Sequence, residues 1–173
     1  MKQISKLMIA LGALGLAACT NPDQMGGGSG FGNGGGQGGG ADALLDPASN
    51  PSSPAYFTEV VGDRVLFAVD TSTLTQEGRN TLTAQARWLM TNSEYSAIIE
   101  GHADEQGTRD YNLALGTRRA NAVREFLVAQ GVAGNRLRTV TYGKERPLEI
   151  CSQESCYAKN RRAVTVISAG AGA

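Results

Sequence analysis

Apolar residues recur with two different spacings from about Tyr56 to the end of the chain. A repeat of three to four residues is typical of one face of an α-helix, whereas short apolar runs bounded by turn residues are typical of strands. The pattern predicts strands near residues 60–61 and at 64–69, a helix at 75–91, a strand at 97–100, a helix at 108–130, and strands at 137–142 and 163–167. This βαβαββ order predicts an α/β (α+β) fold, a two-layer sandwich of helices on a sheet.

Each predicted helix has an apolar face, and the second helix carries a charge within that face. The first face consists of Leu82, Ala86, Leu89 and Met90, and the second of Leu115, Ala122, Val123, Phe126 and Leu127. Arg119 lies four residues from both Leu115 and Val123, so its side chain points inward, while Arg118 is turned about 100° away. A buried guanidinium needs an acceptor, because an unpaired buried charge is strongly unfavourable. The turn at residues 102–105 is expected to supply that acceptor.

The first nineteen residues have the pattern of a bacterial export signal. Two lysines, Lys2 and Lys6, precede an apolar run at residues 7–16 that is too short for the roughly 20 residues that cross a bilayer. The segment Leu16-Ala17-Ala18-Cys19 resembles the lipobox, which predicts a signal peptide over residues 1–18 and lipid attachment to Cys19. By analogy with lipoprotein sorting, Thr20 in place of aspartate favours the outer membrane over the inner one, with the folded part in the periplasm. An ordinary cleaved signal that leaves a free thiol is the alternative.

Glycine divides the chain into a linker and a folded part. Eleven of the 23 glycines fall within residues 26–40, and a segment of that composition buries too little apolar surface to fold. We therefore predict a lipidated N-terminus and flexible linker over residues 19–55, one domain over 56–169 and a tail over 170–173. A G-x-G-x-x-G match at residues 30–35 lacks the strand and the helix that dinucleotide binding requires.

Charge and histidine content exclude several classes of function. The chain has 16 basic and 16 acidic residues, and this balance argues against a non-specific nucleic-acid binder. It has a single histidine, His102, so a multi-histidine metal centre cannot form within one chain. His102 is interpreted as a hydrogen-bonding residue at a strand end rather than as a metal ligand. We predict neither a cofactor nor a metal.

Two cysteines remain once Cys19 is assigned to the lipid. Cys151 and Cys156 are five residues apart, and an exported chain reaches an oxidising compartment. A disulfide closing this small loop is favoured, and it would add about 2 kcal/mol in the loop-entropy model. A redox-active pair is the alternative, although such pairs favour Cys-x-x-Cys spacing.

One arginine and two carboxylates are expected to meet in a single cleft. Asp104 follows a predicted strand, where α/β sheets commonly bind their ligands, and Asp70 is interpreted as ending the first strand in the same way. With the inward-facing Arg119 they can form either a structural salt bridge or a ligand site. An arginine fork accepts a carboxylate and an aspartate accepts an ammonium, so a zwitterionic amino-acid group fits such a site.

Short motifs at these positions carry a family resemblance over about residues 56–168. They are Phe67-x-x-Asp70, Gly101-His102-Ala103-Asp104, Gly107-Thr108, Tyr111-Asn112, Leu115-Gly116, Arg118-Arg119-Ala120-Asn121-Ala122-Val123, Tyr142-Gly143-Lys144-Glu145-x-Pro147 and Asn160-Arg161-Arg162-Ala163-Val164. They resemble the OmpA-like peptidoglycan-binding domain. The resemblance implies that Asp104 and Arg119 grip the diaminopimelate of the peptidoglycan stem peptide, with Asp70, Leu115, Val69 and Ala103 as further binding residues.

The resemblance also implies a function for the whole chain. Together with the lipobox it suggests a non-catalytic outer-membrane lipoprotein that tethers the membrane to peptidoglycan. It further implies a place in the Tol–Pal system of envelope integrity and cell division, with TolB and TolA as partners.

Two other classes of function compete with this one. One is a wall hydrolase that uses Asp104 or Glu105 together with Asp70, since glycosidases employ paired carboxylates. The other is a structural lipoprotein without a ligand. Residues 160–162 are interpreted as shaping the start of the last strand, with a basic patch for a partner as the alternative.

Overall fold

The computed structural model describes residues 47–169 of the chain. The predicted signal peptide, Cys19, the glycine-rich residues 26–40 and the tail at 170–173 lie outside the described residues. Contacts with the domain begin before Tyr56, because the Trp88 Nε1–H donates to the carbonyl of Pro51 at 2.7 Å. Among the described residues, no helix combines the length and the apolar character needed to cross a membrane.

Four α-helices and four strands form the described part. In chain order they are α1 (Pro54–Tyr56), β1 (Arg64–Leu66), α2 (Gln76–Thr91), β2 (Tyr95–His102), α3 (Arg109–Ala129), β3 (Leu137–Gly143), α4 (Glu154–Asn160) and β4 (Arg162–Ala169), with a π-helical turn at Phe57–Gly62 and 3-10 turns at Pro47–Ser49 and Gly134–Arg136. The sheet order is β1-β4-β2-β3. β4 is antiparallel to both β1 and β2, while β2 and β3 are parallel with an irregularity at Gly101/His102. The predicted mixed α/β fold is confirmed.

The core lies between one face of the sheet and the helices α2 and α3. Both helices begin after a capping threonine: the hydroxyl of Thr75 accepts from Gly78 N–H, and that of Thr108 accepts from Tyr111 N–H. Alternate strand residues face the helices, so that Ile99 is buried while its neighbour Ile98 is partly exposed. The core cluster comprises Phe57, Val65, Phe67, Leu82, Ala86, Trp88, Leu89, Ala97, Ile99, Ala120, Val123, Leu127, Val132, Leu137 and Ala163.

The start of the domain differs from the sequence prediction. Val60 and Val61 were predicted as a strand but lie in the π-helical turn. The turn places Phe57 in the core, 4.9 Å from the Trp88 ring, and this packing overrides the strand preference of valine. In α2, Met90 is 46% exposed rather than part of the buried face.

Helix α4 was not predicted, and its sequence gives little signal. It has seven residues, too few to repeat an apolar pattern, and only Asn160 is buried. Its first turn adjoins a disulfide between Cys151 and Cys156. The disulfide connects the residue three positions before the helix with the third residue of the helix.

A close contact between two glycines fixes α3 against the end of β2. A side chain at Gly101 would bring its Cβ within 1.9 Å of the Gly116 carbonyl oxygen, and one at Gly116 would lie 2.3 Å from the Thr141 hydroxyl. Only glycine permits this approach at both positions. Because Arg119 is less than one turn after Gly116, the contact brings its guanidinium to the end of β2.

Candidate functional site

Three segments enclose a cleft at one end of the sheet. They are the loop after β1, the turn after β2 and the first half of α3, and the cleft has a volume of about 230 Å³. The residues lining it are Val69, Asp70, Asp104, Gln106, Gly107, Tyr111, Asn112, Leu115 and Arg119. The structure therefore brings together Asp70, Asp104 and Arg119, which lie far apart in sequence.

Arg119 forms the buried floor of the cleft and has no solvent exposure. Its Nε donates to the Thr71 carbonyl at 2.8 Å, Nη1 to the His102 carbonyl at 2.9 Å and Nη2 to the Ala68 carbonyl at 3.1 Å. Burial lowers the pKa of Arg119 to about 10, despite the opposing effect of the Asp104 carboxylate. A guanidinium has five N–H groups, so two remain available beyond these three bonds.

Asp104 is paired with Arg161 rather than with Arg119. Its Oδ2 lies 3.1 Å from Arg161 Nη1, and the two side chains are only 10% and 6% exposed. Its Oδ1 accepts the backbone N–H of Gln106 at 3.2 Å. Residues 102–105 do supply an acceptor for Arg119, as predicted, but that acceptor is the backbone carbonyl of His102, the last residue of β2.

Arg161 is held by a second carboxylate as well. Its Nη2 donates to Glu154 Oε1, and its Nε donates to the Phe67 carbonyl at 3.2 Å. Burial lowers the pKa of Arg161, but the hydrogen bonds to Glu154 and Asp104 outweigh burial and raise it. Arg161 therefore remains cationic beside the cleft.

Asp70 lies at the exposed side of the cleft. The prediction that it ends the first strand is wrong, because β1 ends at Leu66. Asp70 lies in a turn with a φ of 57°, a left-handed conformation that aspartate and asparagine tolerate better than most residues. The hydroxyl of Tyr111 donates to its Oδ1, which directs the carboxylate toward α3.

The remaining predicted residues divide into lining and supporting positions. Leu115 lines the cleft and is almost fully buried, while Val69 lines it and is 56% exposed. Ala103 is buried and does not line the cleft. Its backbone N–H donates to the Gly143 carbonyl at 2.8 Å, which continues the pairing of β2 with β3 past the strand end.

Sequence reasoning did not assign several residues of this site. Asn112 is buried and its Nδ2 donates to the Gln106 carbonyl at 2.7 Å, which fixes the turn above the cleft. The motifs that carried the family resemblance include Tyr111, Asn112 and Gly107. The sequence therefore marked these residues but did not indicate what they do. Arg161 also lies in such a motif, but its partner Asp104 is 57 residues away.

His102 does not have the predicted hydrogen-bonding side chain. Its ring is buried beside the Tyr142 ring, and neither ring nitrogen makes a hydrogen bond within the described part of the chain, although Nε2 lies 3.5 Å from Glu100 Oε2. Burial, together with the charges of Arg162 and Arg146, lowers its pKa to about 4. Across residues 47–169, no group of three or more His, Cys, Asp and Glu side chains is arranged to hold a metal ion.

The charges and shape of the cleft suit a small group that bears both signs of charge. One guanidinium forms the floor, two carboxylates stand at its sides, and Leu115 and Val69 provide an apolar wall. A carboxylate in the cleft would face the guanidinium of Arg119, and an ammonium would face Asp70 or Asp104.

The fold and this cleft define a known class of domain. The model of the OmpA family matches residues 66–161, which is more than half of the chain. The chain belongs to the OmpA family, and the resemblance predicted from its motifs is confirmed.

Relatives within that class include peptidoglycan-associated lipoproteins. The protein of that name from Mesorhizobium japonicum is 53% identical over 125 residues, covering 72% of this chain and 74% of that protein. The one from Agrobacterium fabrum is 46% identical over 160 residues, covering 92% of this chain and 85% of that protein. The crystal structure of the peptidoglycan-associated lipoprotein from Burkholderia pseudomallei matches with a TM-score of 0.62 and 35% identity, covering 71% of this chain and all of that one.

Proposed function

We propose that this protein is a non-catalytic lipoprotein of the outer membrane that binds the diaminopimelate side chain of the peptidoglycan stem peptide. The observation that carries the proposal is the convergence of Arg119, Asp70 and Asp104 on one small cleft. The names of the relatives, which describe association with peptidoglycan, support it further.

The distal end of diaminopimelate carries both a carboxylate and an ammonium. In the proposed complex the carboxylate accepts from Arg119, and the ammonium donates to Asp70 and Asp104. The methylene groups of the ligand contact Leu115 and Val69, and Ala103 supports the turn from behind. Each of these charge-assisted hydrogen bonds contributes about 1.5–3 kcal/mol.

The proposal includes the ends and partners of the tether. A lipid on Cys19 holds the outer membrane, the glycine-rich linker spans the gap, and the domain holds the wall. On the basis of the family resemblance, the proposal also gives the protein a role in the Tol–Pal system of envelope integrity and cell division, with TolB and TolA as partners. Support for the anchor comes from the lipobox and from the word lipoprotein in the names of the relatives.

The ion pair between Asp104 and Arg161 supports binding without catalysis. A glycosidase that acts on the wall needs a carboxyl group that is free to donate a proton. Asp104 Oδ2 is instead engaged by Arg161 Nη1 at 3.1 Å.

Co-sedimentation with purified peptidoglycan tests the proposal. The mature chain should pellet with the wall, and Asp70→Asn should bind about tenfold more weakly because it loses one charge-assisted contact. Asparagine keeps the shape and tolerates the left-handed turn, so the fold should persist. Glu125→Gln, an exposed substitution near the far end of α3, is the matched control.

Two outcomes would contradict this proposal. Equal binding by Asp70→Asn and wild type would show that Asp70 does not contact the ligand. Release of soluble muropeptides by the wild type would show catalysis.

A further inference from the structure

The loop closed by the disulfide is linked to the cleft through two ion pairs, Glu154 with Arg161 and Arg161 with Asp104. Cys151 and Cys156 close a loop that contains Glu154, the first residue of α4. This helix has seven residues, and the side chain of its N-cap residue, Gln153, makes no capping hydrogen bond. Helices of this length are unstable by themselves. The disulfide therefore fixes the turn that presents Glu154.

Glu154 and Asp104 both accept hydrogen bonds from the guanidinium of Arg161. Arg161 Nη1 lies 3.1 Å from Asp104 Oδ2 and 3.5 Å from Glu154 Oε2, while Arg161 Nη2 donates to Glu154 Oε1. Arg161 is buried and cannot turn to solvent, whereas the Glu154 side chain is 66% exposed. A continuous path of contacts thus leads from the disulfide loop through Arg161 to Asp104.

A second contact ties the same segment to the cleft turn. Asn160, at the end of α4, is fully buried, and its Nδ2 donates to Glu105 Oε1 at 2.7 Å and to the Glu149 carbonyl at 2.8 Å. The C-terminal end of α4 therefore contacts this turn directly, and its N-terminal end reaches the turn through Arg161. The position of the turn depends on α4, whose first three residues lie within the disulfide-closed loop.

The sharing of Arg161 has a consequence for binding. A ligand ammonium must compete with Arg161 for the carboxylate of Asp104. Glu154 provides Arg161 with a second anion, so the guanidinium stays compensated when Asp104 turns to the ligand. Without Glu154, Arg161 would draw more strongly on Asp104 and would add an uncompensated positive charge beside the bound ammonium.

We propose that the disulfide-closed loop is a positioning element of the cleft, in which Glu154 holds Arg161 and thereby sets how strongly Asp104 binds the ammonium of the ligand. The inference rests on the proposed function and assigns to the loop a part in the same site. Glu154 acts through Arg161 and touches no ligand, so it is a positioning residue.

Calorimetric titration with a soluble probe measures this role. The probe is the tripeptide L-Ala-D-Glu-meso-diaminopimelate, titrated into the mature chain. Glu154→Gln should weaken binding about two- to fivefold, the range expected for an exposed carboxylate in an ion pair. Glu154→Asp, which keeps the charge, should restore part of the affinity.

Glu149→Gln is the matched control because it makes the same change two residues before the disulfide-closed loop. Glu149 pairs with Lys159 at 2.9 Å, and its carboxylate makes no hydrogen bond to Arg161. The control should bind like the wild type. An equal loss of affinity in Glu149→Gln and Glu154→Gln would show that the effect comes from the change in net charge alone, and it would overturn the proposal.

A cycle with the disulfide tests the covalent part. The double variant Cys151→Ser with Cys156→Ser should also bind more weakly, and adding Glu154→Gln to it should change little further. Equal effects of Glu154→Gln with and without the disulfide would show that the loop does not position Glu154. Circular dichroism of each variant would establish that the fold is retained.

A modified probe separates a role in ammonium binding from a loss of structure. With the distal amine of the tripeptide acetylated, wild type and Glu154→Gln should bind equally weakly. A persistent difference would overturn the charge-based role. Failure of the wild type to bind the unmodified tripeptide would overturn the proposed function. Equal affinity of the wild type and Glu154→Gln for that tripeptide would overturn only the role of the loop.

Discussion

The floor and the exposed side of the cleft are held by different kinds of contact. On the floor, Arg119 is fully buried and donates to three backbone carbonyls from two separate segments. On the exposed side, the Asp70 carboxylate accepts one side-chain hydrogen bond among residues 47–169, from the hydroxyl of Tyr111. The floor is therefore part of what folds the domain, whereas the exposed side can change with little effect on the fold. A substitution that abolishes binding means different things in the two regions.

Loss of Arg119 should have the largest effect, and that effect should be on stability. Arg119→Met removes three hydrogen bonds from a charged donor, to the carbonyls of Ala68, Thr71 and His102, and bonds of this kind contribute about 1.5–3 kcal/mol each. We expect the free energy of unfolding to fall by about 3–5 kcal/mol, as measured by urea denaturation.

Arg118→Met is the control for this substitution. Arg118 is the adjacent residue but is exposed, with its guanidinium 5.9 Å from the Tyr111 ring centre. Its loss should change stability by no more than about 0.5 kcal/mol. Similar losses in the two variants would contradict the assignment of Arg119 to the folding of the domain. Weak peptidoglycan binding by Arg119→Met would not by itself identify a ligand contact.

Acid should destabilise the buried region through His102. Its pKa is about 4 in the folded protein, below the ordinary value of 6.5, so the unfolded chain binds more protons between these values. Stability is therefore unaffected by this group above pH 6.5 and falls as the pH drops from 6.5 towards 4. The expected loss is about 2 kcal/mol by pH 5.

Urea denaturation at pH 7.5 and pH 5 measures this loss. His102→Phe keeps a ring beside Tyr142 and removes the titrating group, so its stability should change less between the two pH values. An identical pH dependence in the variant and the wild type would contradict the role of His102.

The two regions also differ in how far the sequence could predict them. The inward position of Arg119 follows from helical spacing, because it lies four residues from both Leu115 and Val123. Its acceptors are backbone carbonyls. Every residue has one, so the sequence does not show which of them accept from Arg119. The partner of Asp104 is Arg161, which α4 and β4 bring back from 57 residues away, and periodicity carries no information on such a pairing. The turn at Asp70 was missed because β1 ends at Leu66, earlier than its apolar residues indicate.

Removal of the Tyr111 hydroxyl should have the smallest effect and should fall on the exposed side alone. Tyr111→Phe leaves the ring in place and removes the donor to Asp70 Oδ1. Because both side chains are exposed, stability should change by less than about 0.5 kcal/mol. Binding to peptidoglycan should weaken by about two- to fivefold, since Asp70 must then be oriented by the ligand itself. Thermal denaturation and co-sedimentation measure the two effects. A large loss of stability would assign Tyr111 and Asp70 to the folding of the domain and would remove the distinction between the floor and the exposed side.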